Sequence, residues 1–117
     1  MALKIESKLE ENIAILTLEG SLTLGPSLVL LRQAARQSLS TPKLKGIILD
    51  VSRIAFVDSS GLGELTIVYS SASRHNCPMC LSGISANLQK MLEMTHLDNV
   101  LNSAPELTMA KRQVQTA

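Results

Sequence analysis

The chain has 117 residues, a size typical of one domain, and its hydrophobic content of 45% can form a core that is largely aliphatic because aromatics are only 2%. The 11 basic and 10 acidic side chains give a net charge of +1 without a basic stripe or stacking aromatics, which excludes the usual signature of a nucleic-acid binder. No apolar run reaches the length of a membrane span, and residues 1–11 lack a signal-peptide core, so we expect a cytoplasmic protein without membrane insertion.

Two strands are predicted at the start of the chain, at residues 5–9 and 13–18, joined by a polar turn. The first alternates apolar and polar side chains, whereas the second is apolar on both faces, as expected for a more central strand. Gly25 and Pro26 then mark a loop after the second strand. A helix is predicted over residues 27–40, where apolar residues recur at helical spacing until Pro42 prevents continuation.

The second half of the chain alternates short strands and helices. The patterns predict a doubly buried strand at 46–51, a helix at 59–73, a strand at 78–81, a helix from the N-cap Ser85 to 95, and an edge strand at 100–101. A capping box at 103–106 is expected to open a last helix. In the helix at 59–73, Glu64 and Ser71 should face water, and five apolar residues should face the sheet: Leu62, Leu65, Val68, Tyr69 and Ala72.

This order of elements predicts a single α/β domain over residues 1–117. An initial hairpin followed by alternating helices and strands implies a mixed sheet, with an antiparallel pair first and parallel strands after it, packed against about four helices.

The run at residues 57–63 carries most of the functional information, because it joins a buried strand to a helix. Asp58 is a good N-cap, and Ser59 then occupies the first helical position with Ser60 beside it. Gly61 and Gly63 are poor helix formers so early in a helix, which suggests that something approaches the backbone there. The simplest alternative is that these residues only cap and pack the helix.

The order of the motifs resembles the STAS domain family and, within it, the bacterial anti-sigma factor antagonists. The resemblance covers essentially the whole chain and depends on an apolar strand ending in Asp50-Val51-Ser52, the Asp-Ser-Ser-Gly-Leu-Gly run at 58–63, and a second matching stretch at 88–101. It departs from the family pattern at Thr23, where an acidic residue is usual, and at His96, where the usual Gly would suit a left-handed turn.

The resemblance implies a non-enzymatic domain that needs no cofactor or metal and acts as a monomer or weak homodimer. The serine phosphorylated in the family maps to Ser59, and the implied partner is an anti-sigma factor that is also a Ser/Thr protein kinase. Unphosphorylated, the domain would bind this kinase and so release a sigma factor. The implied partner-binding residues are Leu22, Thr23, Asp58, Ser59, Ser60, Gly61 and Gly63.

Two other functions are compatible with the sequence. An unregulated STAS adaptor, such as a subunit of a lipid-transport ABC complex, and a small-ligand or nucleotide-binding module both remain open. Hydrolysis is disfavoured because the Gly-x-Ser-x-Gly elbow is absent and His75 lies 16 residues beyond Ser59, roughly 24 Å along the same helix. The single Cys77-x-x-Cys80 pair lacks the further ligands of a zinc site, so we expect ordinary thiols.

Overall fold

The structure is a computed structural model that describes residues 2–116. Within that range the chain forms strands β1 (Lys4–Glu10), β2 (Ile13–Leu22), β3 (Gly46–Val57), β4 (Met79–Ser82) and β5 (Ser103–Ala104). The helices are α1 (Pro26–Leu39), α2 (Ser59–Arg74), α3 (Ala86–Met94) and α4 (Leu107–Thr116). The strands lie side by side in chain order, β1-β2-β3-β4-β5.

The predicted mixed sheet is confirmed. β1 pairs antiparallel with β2 through a two-residue turn, and the later pairs are all parallel. The turn residues Glu11 and Asn12 have φ values of 53° and 65°, the left-handed conformations that a tight hairpin turn requires.

The helices cover the two faces of the sheet unequally. Helices α1, α2 and α3 bury their apolar sides in one large cluster, to which Leu31, Leu65 and Leu92 each contribute a nearly fully buried side chain. Helix α4 covers the opposite face, where Ala110 and Val114 pack on a smaller cluster from β2, β3, β4 and β5. The apolar face predicted for the helix at 59–73 is confirmed, since its five apolar residues all belong to the large cluster or pack against it.

Strand β3 is longer than the predicted 46–51, and its extension positions the candidate site. Its first part lies between β2 and β4, but residues beyond Asp50 pair with β2 alone. This part of the strand carries polar residues such as Ser52 and Arg53, which are exposed. This extension brings the ends of β2 and β3 together at the pair Leu22 and Val57.

The expected edge strand at 100–101 and the capping box at 103–106 are wrong. The amides of Val100 and Leu101 both donate to the carbonyl of Leu97 in a turn after α3, so they cannot pair with a strand. The short strand β5 instead uses Ser103 and Ala104, and α4 begins only at Leu107. Ser103 is therefore part of the sheet and does not cap the helix.

The expectation that Glu64 faces water is also wrong, whereas Ser71 is partly exposed. Glu64 is 2% exposed because its carboxylate pairs with Arg32 of α1. Helical spacing identifies the side of α2 that faces the sheet, but it does not identify the side that faces a neighbouring helix.

A substitution at Leu65 tests the assignment of the α2 faces. Leu65 is fully buried, so Leu65→Ala should lower the free energy of unfolding by about 2–5 kcal/mol. Ile67 lies on the same helix but is 44% exposed, and Ile67→Ala is the matched control with a much smaller loss. Chemical denaturation of both variants measures the difference. A loss below about 0.5 kcal/mol for Leu65→Ala would contradict the core described above.

Candidate functional site

The candidate site lies where β2 and β3 end next to each other. Leu22 and Val57 form the last pair of these parallel strands, and the backbone amide of Asp58 donates to the carbonyl of Leu22 at 3.4 Å. The chain then enters α2 directly. The sheet thereby fixes the start of α2 beside the loop between β2 and α1.

The Asp58 carboxylate joins these two segments. One oxygen, Oδ1, accepts from the amide of Gly61 at 2.8 Å, which is the predicted N-cap interaction. The other, Oδ2, accepts from the amide of Leu24 at 3.0 Å, in the β2–α1 loop. The amides of Leu24 and then Gly61 lower the pKa of Asp58 below its usual value of 3.8, because both hydrogen bonds favour the charged form.

The two serines of the motif differ in exposure. Ser59 is the first residue of α2 and is exposed, whereas Ser60 is half-buried. Ser60 lies four residues before Glu64 and so shares the side of the helix that faces α1. Ser59 lies four residues before Gly63, on the exposed side.

The two glycines serve different purposes. A Cβ at Gly61 would overlap the carbonyl of Leu22, so the close approach inferred from the sequence is here made by β2 of the same chain. Gly63 is exposed and faces open space, since a Cβ added there would meet nothing within 4 Å. Leu22 and Gly61 are buried. Their role in partner binding stays a prediction, in which they act by positioning the backbone around them.

Thr23 and the adjoining loop are held by a compact hydrogen-bond pair. The amide of Thr23 donates to Ser27 Oγ at 3.0 Å, and Ser27 Oγ donates back to the carbonyl of Thr23 at 2.6 Å. The next residue, Leu24, projects an apolar side chain that is 77% exposed. Leu24 lies in the loop at 22–26 that the sequence places beside the start of α2, next to Gly25 and Pro26.

An ion pair between exposed Arg32 and buried Glu64 joins α1 to α2. Arg32 donates to both carboxylate oxygens of Glu64, at 2.7 and 3.1 Å, and the hydrogen bonds raise the pKa of the guanidinium. The Arg32 side chain is 44% exposed and that of Glu64 only 2%. The two residues are 32 positions apart in the chain, so no local pattern could have revealed the pair.

The remaining sequence candidates are dispersed. His75 caps the far end of α2, and His96 follows α3 with a φ of 58°, the left-handed conformation expected there. Cys77 and Cys80 are free and buried, and burial raises the pKa of Cys80 to about 11, which disfavours a reactive thiolate. Among residues 2–116, no cluster of three or more His, Cys, Asp or Glu side chains could hold a metal ion.

Comparison with known proteins identifies the family. The sequence model of the STAS domain matches residues 4–111, which is nearly the whole chain. This chain belongs to the STAS domain family. In the part of the chain that the structure describes, no helix is long and apolar enough to cross a membrane.

Solved structures share the fold at low sequence identity. A putative anti-sigma factor antagonist from Thermotoga maritima is similar with a TM-score of 0.84 and 19% identity, over 95% of this chain and 94% of that one. The Bacillus cell fate determinant SpoIIAA in its phosphorylated form has a TM-score of 0.69 and 20% identity, over 95% and 98%. A murine anion transporter of solute carrier family 26 has a TM-score of 0.78 and 15% identity, over 99% of this chain and 22% of the transporter.

The Asp58 cap should make stability depend on pH. Its folded pKa lies below its usual 3.8, so its contribution is complete above that value and is lost as the pH falls through the folded pKa. Asp58→Asn should therefore melt well below wild type at neutral pH, because the amide has one acceptor oxygen and its NH2 group would face the second backbone N–H. The difference in melting temperature between the two proteins should disappear in acid, where wild-type Asp58 is also neutral.

Thermal melts of wild type and Asp58→Asn from neutral pH to below about pH 3 measure this effect. Asp98→Asn is the control, since Asp98 is exposed in a turn after α3. A gap between wild type and Asp58→Asn that stays constant across the titration would contradict the role of the charge.

The ion pair between α1 and α2 predicts an order of stabilities. Arg32→Met leaves a charged Glu64 without its guanidinium in a site that is 2% exposed, so it should destabilise more than the double variant Arg32→Met/Glu64→Met. Lys4→Met is the control, because the Lys4–Glu6 pair is long, at 3.7 Å, and mostly exposed. Denaturation midpoints measure the order, and a double variant less stable than Arg32→Met would reverse the interpretation.

Proposed function

We propose that this domain is an anti-sigma factor antagonist that is switched off by phosphorylation of Ser59. Unphosphorylated, it binds an anti-sigma factor that is also a Ser/Thr kinase, and the sigma factor is released. The observation that carries the proposal is an exposed serine at the first position of α2, directly after a capping aspartate that is already fully engaged. The likeness to a putative anti-sigma factor antagonist and to a protein solved in a phosphorylated form supports it.

Exposure favours Ser59 over Ser60 as the acceptor. The kinase must bring the γ-phosphate of ATP to the hydroxyl oxygen, which takes the phosphoryl group while ADP and the hydroxyl proton leave. Ser59 offers its hydroxyl on the exposed side of α2, whereas Ser60 is half-buried toward α1. Phosphorylation at Ser59 thus requires no opening of the fold.

The added charge should act on the partner and not on the fold. A phosphoserine carries roughly −1.5 to −2 charges, and the N-terminus of a helix tolerates negative charge. Asp58 keeps its two amide partners, so a charged carboxylate would remain next to the phosphorylated residue. A partner that covers Ser59 would have to desolvate both charges, which opposes binding.

The proposed partner surface surrounds Ser59. It comprises the exposed positions Ser59, Gly63 and Ile67 on one side of α2, together with Thr23 and Leu24 of the β2–α1 loop. Leu24 and Ile67 provide apolar contacts, and Gly63 leaves room for a partner to approach the helix backbone. Leu22, Asp58, Ser60 and Gly61 shape this surface from beneath or beside it.

The proposed kinase partner determines the cellular compartment. A partner that uses ATP and a sigma factor places the domain, over residues 1–117, in the cytoplasm. The chain itself contributes no cofactor, does not insert into the membrane and does not contact nucleic acid directly. The proposed switch therefore changes only whether the partner is bound.

An unregulated STAS adaptor is the second candidate. The likeness to a segment that makes up 22% of an anion transporter favours it, because there the fold occurs as one part of a much larger protein. In that case the exposed patch around Ser59 would serve permanent docking, and phosphorylation would be irrelevant.

Two variants at Ser59 distinguish these functions. Ser59→Ala should bind the partner kinase like wild type, but ATP should no longer release it. Ser59→Asp should bind at least about tenfold more weakly while its thermal midpoint stays close to wild type, because the fold tolerates charge at this position. Pull-down with and without ATP, beside thermal melts, measures both properties.

The matched controls are Ser70→Ala and Ser70→Asp, at an exposed position farther along α2. Release by ATP that persists in Ser59→Ala would exclude this residue as the acceptor. Equal binding by wild type and Ser59→Asp would exclude the switch and favour the adaptor.

A further inference from the structure

Strand β1 leaves one edge of the sheet open. It is seven residues long and pairs with β2 on one side, whereas the opposite edge strand, β5, has two residues. An open edge presents unpaired amides and carbonyls that can pair with another strand. What this edge would bind depends on its backbone phase and its side chains.

The hairpin turn fixes the backbone phase. In a hairpin with a two-residue turn, the flanking pair, here Glu10 and Ile13, exchanges hydrogen bonds, and such pairs alternate along an antiparallel ladder. Ile5, Ser7 and Leu9 therefore point their backbone amides and carbonyls away from β2. These three residues are the ones that can bond to a further strand.

The side chains divide into two rows. Ile5, Ser7 and Leu9 lie on the face of α1, and Leu9 is 52% exposed. The opposite row consists of charges that alternate in sign: Lys4, Glu6, Lys8 and Glu10.

We propose that β1 pairs antiparallel with β1 of a second copy of this chain, about a twofold axis at Ser7. Ser7 then lies opposite its own counterpart, and Ile5 lies opposite Leu9. In the charged row, Lys4 lies opposite Glu10 and Glu6 lies opposite Lys8, so that every pair has opposite signs. The outward-pointing residues 5, 7 and 9 also meet one another, as backbone hydrogen bonding requires.

The charges select this register. Sliding one strand by two residues toward its C-terminal end places Lys8 opposite Lys8 and Glu6 opposite Glu10, and sliding it the other way places Glu6 opposite Glu6 and Lys4 opposite Lys8. Each shift turns attraction into repulsion. A row of like charges would guard the edge against any pairing, but this row is fully self-complementary when it is centred on Ser7, since a shift by four residues leaves only two charges of each strand facing opposite charges.

The neighbouring surface can accept the second copy. Two adjoining grooves of about 260 and 320 Å³ lie between β1 and α1, and both include Ser7 and Gln37. Leu9 lines one groove and Leu30, 45% exposed, lines the other. Pairing would place Leu9 of each copy against Ile5 and the groove of the other, burying apolar surface on both.

The dimer would leave the Ser59 site free. Helix α2 packs on α1, β3 and β4, away from the open edge of β1. Each dimer would thus present two partner surfaces. The pairing of β1 does not depend on whether Ser59 is phosphorylated.

A charge swap tests the pairing. Glu6→Lys puts a lysine opposite Lys8 at both ends of its homodimer, and Lys8→Glu puts a glutamate opposite Glu6 at both ends. Each variant alone should dimerise at least about tenfold more weakly than wild type, because like charges then face each other twice. Mixed in equal amounts, the two variants form a heterodimer in which every facing pair is again opposite, and dimerisation should return to near the wild-type level.

Sedimentation velocity of the full chain at low salt measures these equilibria, and native mass spectrometry identifies the heterodimer. Glu93→Lys and Lys90→Glu, two positions on α3, make the same charge changes away from the edge and should behave like wild type. A monomeric wild type at all concentrations, or a mixture that fails to recover dimerisation, would overturn the proposal.

A cysteine at the twofold axis checks the register independently. Facing residues in a hydrogen-bonded pair have Cα atoms about 5.5 Å apart, within reach of a disulfide. Ser7→Cys should therefore form a covalent dimer under mild oxidation, whereas Ser73→Cys, exposed near the end of α2, should not. Equal crosslinking of the two variants would exclude this alignment.

Discussion

The candidate site depends on one carboxylate that accepts hydrogen bonds from two segments. Asp58 caps α2 through Gly61 and, with its other oxygen, holds the β2–α1 loop through Leu24. Because both bonds go to backbone amides, the geometry does not depend on which side chains the loop carries. The same contact therefore fixes the position of Ser59 relative to Leu24.

This arrangement separates the contacts that stabilise α2 from its exposed side. The sheet, the Gly61 contact with Leu22 and the Arg32–Glu64 pair hold α2 from its buried sides. Ser59 and Gly63 lie on the side that none of these contacts uses. A modification at Ser59 can thus change the surface without breaking a contact on which the fold depends, which suits a reversible switch.

The sequence predicted what local patterns can encode. Apolar spacing located the buried sides of the helices, and the order Asp58-Ser59 located the cap and the exposed serine, because each depends on residues within one or two helical turns. Glu64 was misassigned because its partner is 32 residues away. The edge strand was misplaced because the turn at Leu97, and not strand propensity, decides where the chain rejoins the sheet. The extension of β3 was missed because it pairs with β2 alone and carries exposed polar residues, which do not give the apolar run of a central strand.

The placement of α4 has a consequence for biosynthesis. The isoleucines of β2 and β3 that α4 covers, Ile13, Ile15 and Ile48, are translated long before residues 107–116 exist. A nascent chain can form the hairpin and pack α1 and α2 early, but one apolar face of its sheet stays open to water until α4 leaves the ribosome. The domain is therefore exposed to aggregation and to chaperone capture until α4 has left the ribosome and packed on the sheet.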